Sequence, residues 1–217
     1  MKHLLVLDWD DTLLPSSWIA SILGDAKLRA SGDIHSLLPH DQLRLIAYDQ
    51  KVAQFLKSRY AEFDVFIVTN AECGWVESSA ARFMSRVRQV ILRLCIPVIS
   101  ARTLHESKFP HDMYAWKRIA FQDLVSEWVQ SQRPMRFNFH FISIGDGDTE
   151  RAATLFTSNI WRECIMKFIR LDESPSIDTL LKQVHVLHDV FPMLVRDPSR
   201  MDMSIRPEFV QKYFERS

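Results

Sequence analysis

Residues 4–14 read Leu4-Leu5-Val6-Leu7-Asp8-Trp9-Asp10-Asp11-Thr12-Leu13-Leu14, an apolar run of strand length that stops at three carboxylates. Four consecutive apolar residues without alternation predict a strand buried on both faces, the habit of parallel sheets. Such a strand delivers the residues that follow it to an edge of the sheet. Taken alone, the same stretch also suits a strand capped by a solvated acidic turn, so the rest of the chain decides.

Working outward, Val65-Phe66-Ile67-Val68 has the same character and ends at Thr69-Asn70, and Phe139 to Ile144 stops at Gly145-Asp146. Pro97 to Ser100 and Ile165 to Leu171 are further strand candidates. Helical periodicity falls between them, over Trp18 to Ala30, Asp41 to Tyr60, Gly74 to Leu94, Asp112 to Gln130, Arg151 to Phe156 and Ser176 to Val190. In the second of these Leu43, Ala47, Phe55 and Leu56 are expected to face inward; in the third, Val76, Phe83, Val87, Val90, Ile91 and Leu94. Ser176 is expected to cap the last helix.

About five strands alternating with helices predict an α/β fold: a doubly wound, mostly parallel, Rossmann-like sheet with helices on both faces. Right-handed crossovers place all the strands' carboxyl ends along one edge, and ligands bind outside that edge. The expected organisation is a single domain over 1–217, with room for a small cap or flap at 15–40. The tail from about 191 has no clear period and reads as a C-terminal extension.

Composition agrees with one globular unit: 217 residues, 47% hydrophobic and 25% charged. Lys plus Arg and Asp plus Glu both number 27, so net charge offers no field for nucleic acid or an anionic membrane surface. The apolar run before Asp8 is too short for a signal-peptide core and no 18-residue apolar segment follows, so the expected location is cytoplasmic. Cys73, Cys95 and Cys164 lack C-x-x-C spacing, which favours reduced structural thiols and suggests no zinc site.

The D-x-D-x-T of Asp8, Asp10 and Thr12 directly after an apolar strand resembles the first motif of the haloacid dehalogenase-like hydrolase superfamily. Val65-Phe66-Ile67-Val68-Thr69-Asn70 resembles its second motif, and Gly145-Asp146-Gly147-Asp148-Thr149-Glu150 its fourth, with Glu150 where Asp is commoner. The third motif is a lone lysine near the start of the helix before the fourth strand; Lys117 stands there, with Lys108 as the alternative. The motifs run from Asp8 to Glu150 in the superfamily's order, and the resemblance says nothing about residues after about 171.

The resemblance implies a Mg²⁺-dependent phosphatase acting on phosphate monoesters through an aspartyl-phosphate. Asp8 is the implied nucleophile and Asp10 the proton carrier. Thr12, Thr69, Asn70 and Lys117 are implied to hold the substrate phosphate, Thr69 and Lys117 as part of the catalytic set. Asp8, Asp10, Asp146 and Glu150 are the implied metal ligands, with the part of Asp148 open. If Asp8, Asp146 and Glu150 converge, each pair about 4 Å apart repels by roughly 4 kcal/mol at an effective dielectric near 20, which a cation would offset. Oxygen-only ligands beside a phosphate favour Mg²⁺. An acid at position 10 suits phosphatases and mutases, so a phosphomutase or phosphotransferase is the enzymatic alternative. A catalytically idle phosphate-binding scaffold is the alternative from another class.

Other signals carry less. Cys164-x5-Arg170 has the spacing of cysteine-dependent phosphatases, but the intervening Ile-Met-Lys-Phe-Ile lacks a phosphate cradle's glycines. Both acidic runs lack the glycine of a calcium loop. His185 and His188, at i, i+3, have no further ligands nearby. Trp9 and Trp75 follow proposed active strand ends, at the pocket entrance or in the core. The short interval available for a cap leads to the expectation of an open site and a bulky or macromolecular phosphorylated substrate.

Overall fold

The apolar run becomes strand β1 (His3–Leu7) in a six-stranded sheet, in a computed structural model that describes residues 3–132, 138–161, 164–206 and 208. The other strands are β2 (Phe63–Thr69), β3 (Val98–Ser100), β4 (Phe139–Gly145), β5 (Cys164–Arg170) and β6 (Met201–Ser204). All neighbours pair in parallel, in the order β3-β2-β1-β4-β5-β6. Leu5 lies level with Val65 on one side and Ile142 on the other, so apolar residues form a continuous row across the centre.

Leu4, Val6 and Val68 join a core on one face of the sheet, and Leu5, Leu7, Val65 and Ile67 a second core on the other, as the two-residue period of a strand dictates. The first core is closed by α7 (Met113–Ser131) through Trp116, Phe121 and Val125, and the second by α3 (Pro39–Tyr60) and α9 (Ile177–Arg196). Leu4 to Leu7 are all completely buried. At about 1.5–3 kcal/mol for each large side chain removed from water, this run is a principal contributor to the sheet's stability.

Several expectations are corrected. The sheet has six strands, because part of the tail beyond 191 is regular: α9 continues through Pro192 to Arg196, and β6 then pairs with β5. Met201-Asp202-Met203-Ser204 alternates in exposure, as befits an edge strand, and carries no β-branched run to announce it. Within that extension, 207 and the residues from 209 on lie outside the described residues.

Leu43 and Ala47 are exposed; the inward stripe of α3 is Leu45, Tyr48, Val52, Phe55 and Leu56, since 43 and 55 lie a third of a turn apart on the helix. The segment 18–30 is two helices, α1 (Ser16–Leu23) and α2 (Asp25–Ala30), broken at Gly24, whose φ of +81° leaves the helical region. Gly74 to Leu94 is likewise α4 (Trp75–Phe83) and α5 (Ser85–Arg93), broken at Met84. A short α6 (Ala101–His105) follows β3, and α8 (Asp148–Ile160) starts three residues earlier than expected. No helix among the described residues is long and apolar enough to cross a membrane.

The chain leaves β1 for β2 and β3 on one side, then returns to place β4 on the other. Crossovers diverge between β1 and β4, which opens a crevice at their carboxyl ends. Asp8 follows β1 and Asp146 follows β4, so both acids stand at that switch point.

Candidate active site

The turn after β1 is tight. Asp8 N–H donates to Ile144 C=O (2.9 Å), and the N–H groups of Leu13 and Leu14 both donate to Trp9 C=O (2.9 and 2.8 Å). Asp11 sits at a φ of +51°, a left-handed position that Asp tolerates. Its carboxylate accepts from Ser17 N–H (2.9 Å) and from the Ser16 and Ser17 hydroxyls, which ties α1 to the turn. The third acid of the run therefore holds structure, although it lines the same cavity as Asp8 and Asp10.

Thr12, expected to bind substrate, is not on the cavity wall. It is buried, its carbonyl accepts from Tyr48 O–H (2.9 Å), and its hydroxyl has no hydrogen-bond partner among the described residues. The turn carries it into the protein while Asp8 and Asp10 face outward. Trp9 is likewise core, with its indole N–H on the Ser79 hydroxyl (3.0 Å).

Asp112 caps α7 through Ala115 N–H (2.9 Å), and Lys117 follows in the second turn with its side chain fully buried. Its ammonium donates to Asp8 Oδ1 and to Glu150 Oε1. Burial works against this cation, but the charges of Asp8 and Glu150 outweigh it and hold the ammonium above its ordinary pKa. Lys108 is exposed in the turn before α7 and does not line the cavity.

Glu150 has both oxygens engaged. Oε1 accepts from Lys117 and from the Thr149 hydroxyl (2.8 Å), and Oε2 from Gly147 N–H (3.0 Å). Glycine leaves it room: a Cβ at Gly145 would run into the Glu150 Cγ, and one at Gly147 would displace Oε2, which it would meet at 2.8 Å. Burial again works against the charge, but Lys117 and the Thr149 hydroxyl hold the Glu150 carboxyl below the usual carboxylate range. Asp148 turns away, exposed and paired with Arg170 (3.1 Å).

The remaining acids are pushed the other way. Burial drives Asp8 well above its ordinary value despite Lys117. Burial, then the charges of Glu150 and Asp11, carry Asp146 up to about 7. Burial also raises Asp10, against a hydrogen bond from Trp75. That indole N–H reaches both Asp10 oxygens at 3.1 Å.

At the end of β2, the Thr69 hydroxyl accepts from Ala71 N–H (3.0 Å), and Asn70 donates to Met113 C=O (3.4 Å) while its buried Oδ1 has no partner among the described residues. Both residues line the same cavity as Asp8, Asp10, Lys117 and Asp146. That cavity measures about 860 Å³. The flap expected at 15–40 supplies part of its wall through Ser16, Ser17, Ala20, Asp25, Leu28 and Arg29.

Asp8, Asp146 and Glu150 each offer an oxygen within 4.8 Å of the others, the arrangement among the described residues suited to a hard divalent cation. Asp10, expected among the ligands, is outside that group, its carboxylate bonded to Trp75. Cys164 is buried in β5 with its thiol pushed up to about 12 by burial, which removes the cysteine-nucleophile reading. Of the two readings left open for Trp75, the pocket entrance is where it stands, while Arg29 and Arg102 line the cavity with no signal in the sequence that assigned them there. No family model matches the chain, and neither any curated protein nor any solved structure matches it.

Proposed function

We propose that the chain is a Mg²⁺-dependent phosphatase of the haloacid dehalogenase-like type, hydrolysing phosphate monoesters through an aspartyl-phosphate on Asp8. The observation that carries this reading is the union of Asp8, Lys117 and Glu150 beside Asp146 at the sheet's switch point. Three segments far apart in sequence, the end of β1, the start of α7 and the β4–α8 junction, converge there, and a solvated acidic turn requires no such convergence.

In this reading an Asp8 carboxylate oxygen attacks phosphorus as the bond to the leaving oxygen breaks, and protonated Asp10 supplies that oxygen's proton. The raised Asp10 value favours the acid form needed for this step. Water then attacks the acyl phosphate, returning its proton to Asp10 and releasing phosphate with Asp8 regenerated. Lys117 and the Thr69 hydroxyl hold phosphoryl oxygens, and Glu150 holds Lys117.

The donor set fits the metal that the resemblance implies. Asp8 and Asp146 would hold Mg²⁺, since every Glu150 oxygen already has a partner and Asp146 resists ionisation while no cation offsets its neighbours. When bound, the ion supplies positive charge that offsets the repulsion between a carboxylate nucleophile and a phosphate dianion.

The flap's share of the wall changes the expected substrate. Cavities of roughly 300–1,000 Å³ suit small molecules, and about 860 Å³ with a flap for one wall favours a compact monoester over a bulky or macromolecular one. The test is an acid quench during turnover of labelled substrate. An alkali-labile protein-bound phosphate that disappears in Asp8→Asn is expected; label on Ser or Cys, or none during active turnover, overturns the scheme. Label passed to an acceptor hydroxyl instead of water identifies the phosphotransferase alternative.

A further inference from the structure

Arg29 is the cation of the cavity wall that the chemistry above leaves unused. Lys117 is taken by Asp8 and Glu150, and Arg102 is paired with Glu72 (3.3 Å) and Glu106 (2.8 Å). Arg29 has no carboxylate partner among the described residues and is exposed to the cavity, with its guanidinium 5.5 Å from the centre of the Trp75 ring. Stacking on an aromatic face orients a guanidinium without consuming its N–H donors.

The support is fixed as well. Arg82 packs against the same ring at 5.6 Å and donates to the carbonyls of Leu28 (2.6 Å) in α2 and Gly32 (3.0 Å) just after it, which holds the chain on both sides of Arg29. Asp25 shares the wall, but it sits in the first turn of α2, where the helix dipole favours an acid, and no ion pair joins it to Arg29. The cavity wall thus carries, beside Trp75, a prealigned cation with open donors.

We propose that Arg29, stacked on Trp75, is a subsite for a second anionic group of the substrate, so that the enzyme selects monoesters whose leaving group itself carries a carboxylate or similar anion. The catalytic half of this statement rests on the phosphatase reading. The binding half does not.

The experiment compares kcat/KM with Mg²⁺ for pairs that share a skeleton and differ in a carboxylate: 3-phosphoglycerate against glycerol 3-phosphate, and 4-carboxyphenyl phosphate against phenyl phosphate. A preference for the carboxylate member of at least one pair of about tenfold or more is expected of a charge-assisted contact. It should collapse to about one in Arg29→Gln and survive in part in Arg29→Lys. A merely structural role for Arg29 would lower both members of a pair together and leave the ratio intact. Calorimetric binding of 3-phosphoglycerate to Asp8→Asn supplies the second arm, with about tenfold weakening expected when Arg29→Gln is added. An unchanged ratio, or turnover without preference in both pairs, overturns the subsite while the phosphatase reading stands. Binding that depends on Arg29 without turnover of any monoester overturns the phosphatase reading while the subsite stands. Neither binding nor turnover overturns both.

Discussion

The indole N–H of Trp75 is shared between the two carboxylate oxygens of Asp10, 3.1 Å from each. Trp75 lies 65 residues beyond Asp10 and opens α4, the helix that follows β2. The carboxylate assigned to proton transfer is therefore aimed by a neighbouring crossover. A forked acceptor geometry restrains rotation of the carboxylate about its last bond, which a transferring acid requires.

Replacing Trp75 by Phe keeps a ring beneath Arg29 and removes the N–H. A hydrogen bond to a charged group contributes about 1.5–3 kcal/mol, so kcat is expected to fall roughly ten- to a hundredfold with KM changed far less. Steady-state kinetics check this. A variant with normal kcat denies Trp75 any part in placing Asp10.

Lys117→Met leaves Asp8 and Glu150 facing one another in the interior without their shared cation. Removing one member of a buried ionic group costs about 3–5 kcal/mol. Urea unfolding in EDTA should show a loss of that order, part of it recovered when Glu150→Gln is added. A loss below about 1 kcal/mol contradicts the view that Lys117 binds the two strand ends together.

Much of this arrangement was legible in the chain. The runs at 4–7, 65–68 and 139–144 announce buried strands because both faces of a parallel sheet are dry, and each strand's following residues then fall at one edge by geometry alone. That logic brings Asp8, Thr69, Asn70 and Asp146 together. It fails for Thr12, because a turn's path is set by local hydrogen bonds such as those to the Trp9 carbonyl, which no periodicity reports. It fails for β6, whose alternating Met-Asp-Met-Ser pattern carries little apolar signal at a sheet's rim. Glu150 illustrates a third limit: its spacing marks it as a site acid but does not report its hydrogen bonds with Lys117, Thr149 and Gly147.

Asp146 gives a pH dependence with a defined sign. Its carboxyl titrates near 7 in the fold against an ordinary 3.8, so between those values the folded chain binds more protons than the unfolded one. Stability from this group is complete below about pH 4 and is lost as pH rises to about 7. Melting temperatures in EDTA should fall across that window more steeply for the wild type than for Asp146→Asn. Excess Mg²⁺ should shrink the difference by favouring the ionised form. Parallel profiles for the two proteins in EDTA rule out a raised Asp146.

The final prediction concerns the flap. Arg82, on α4, donates to the carbonyls of Leu28, in the last turn of α2, and Gly32, just after it, and to the Ser78 carbonyl of its own helix (3.2 Å). The first two bonds tie α2 and the turn after it to the helix bearing Trp75, beside Leu28 and Arg29 of the cavity wall, which a compact substrate is proposed to touch. A bulky substrate projecting from the cavity gains less from that wall. Arg82→Gln cannot span both carbonyls, so backbone amides of 25–32 should exchange with solvent faster while those of β1 and β4 do not. KM for compact monoesters should rise several-fold, since each lost hydrogen bond contributes about 1 kcal/mol to holding the wall in place. Hydrolysis of a phosphopeptide should change little by comparison. If the phosphopeptide is the better substrate of the wild type and the variant treats both classes alike, the flap is not a substrate-facing wall and the preference for compact monoesters falls with it.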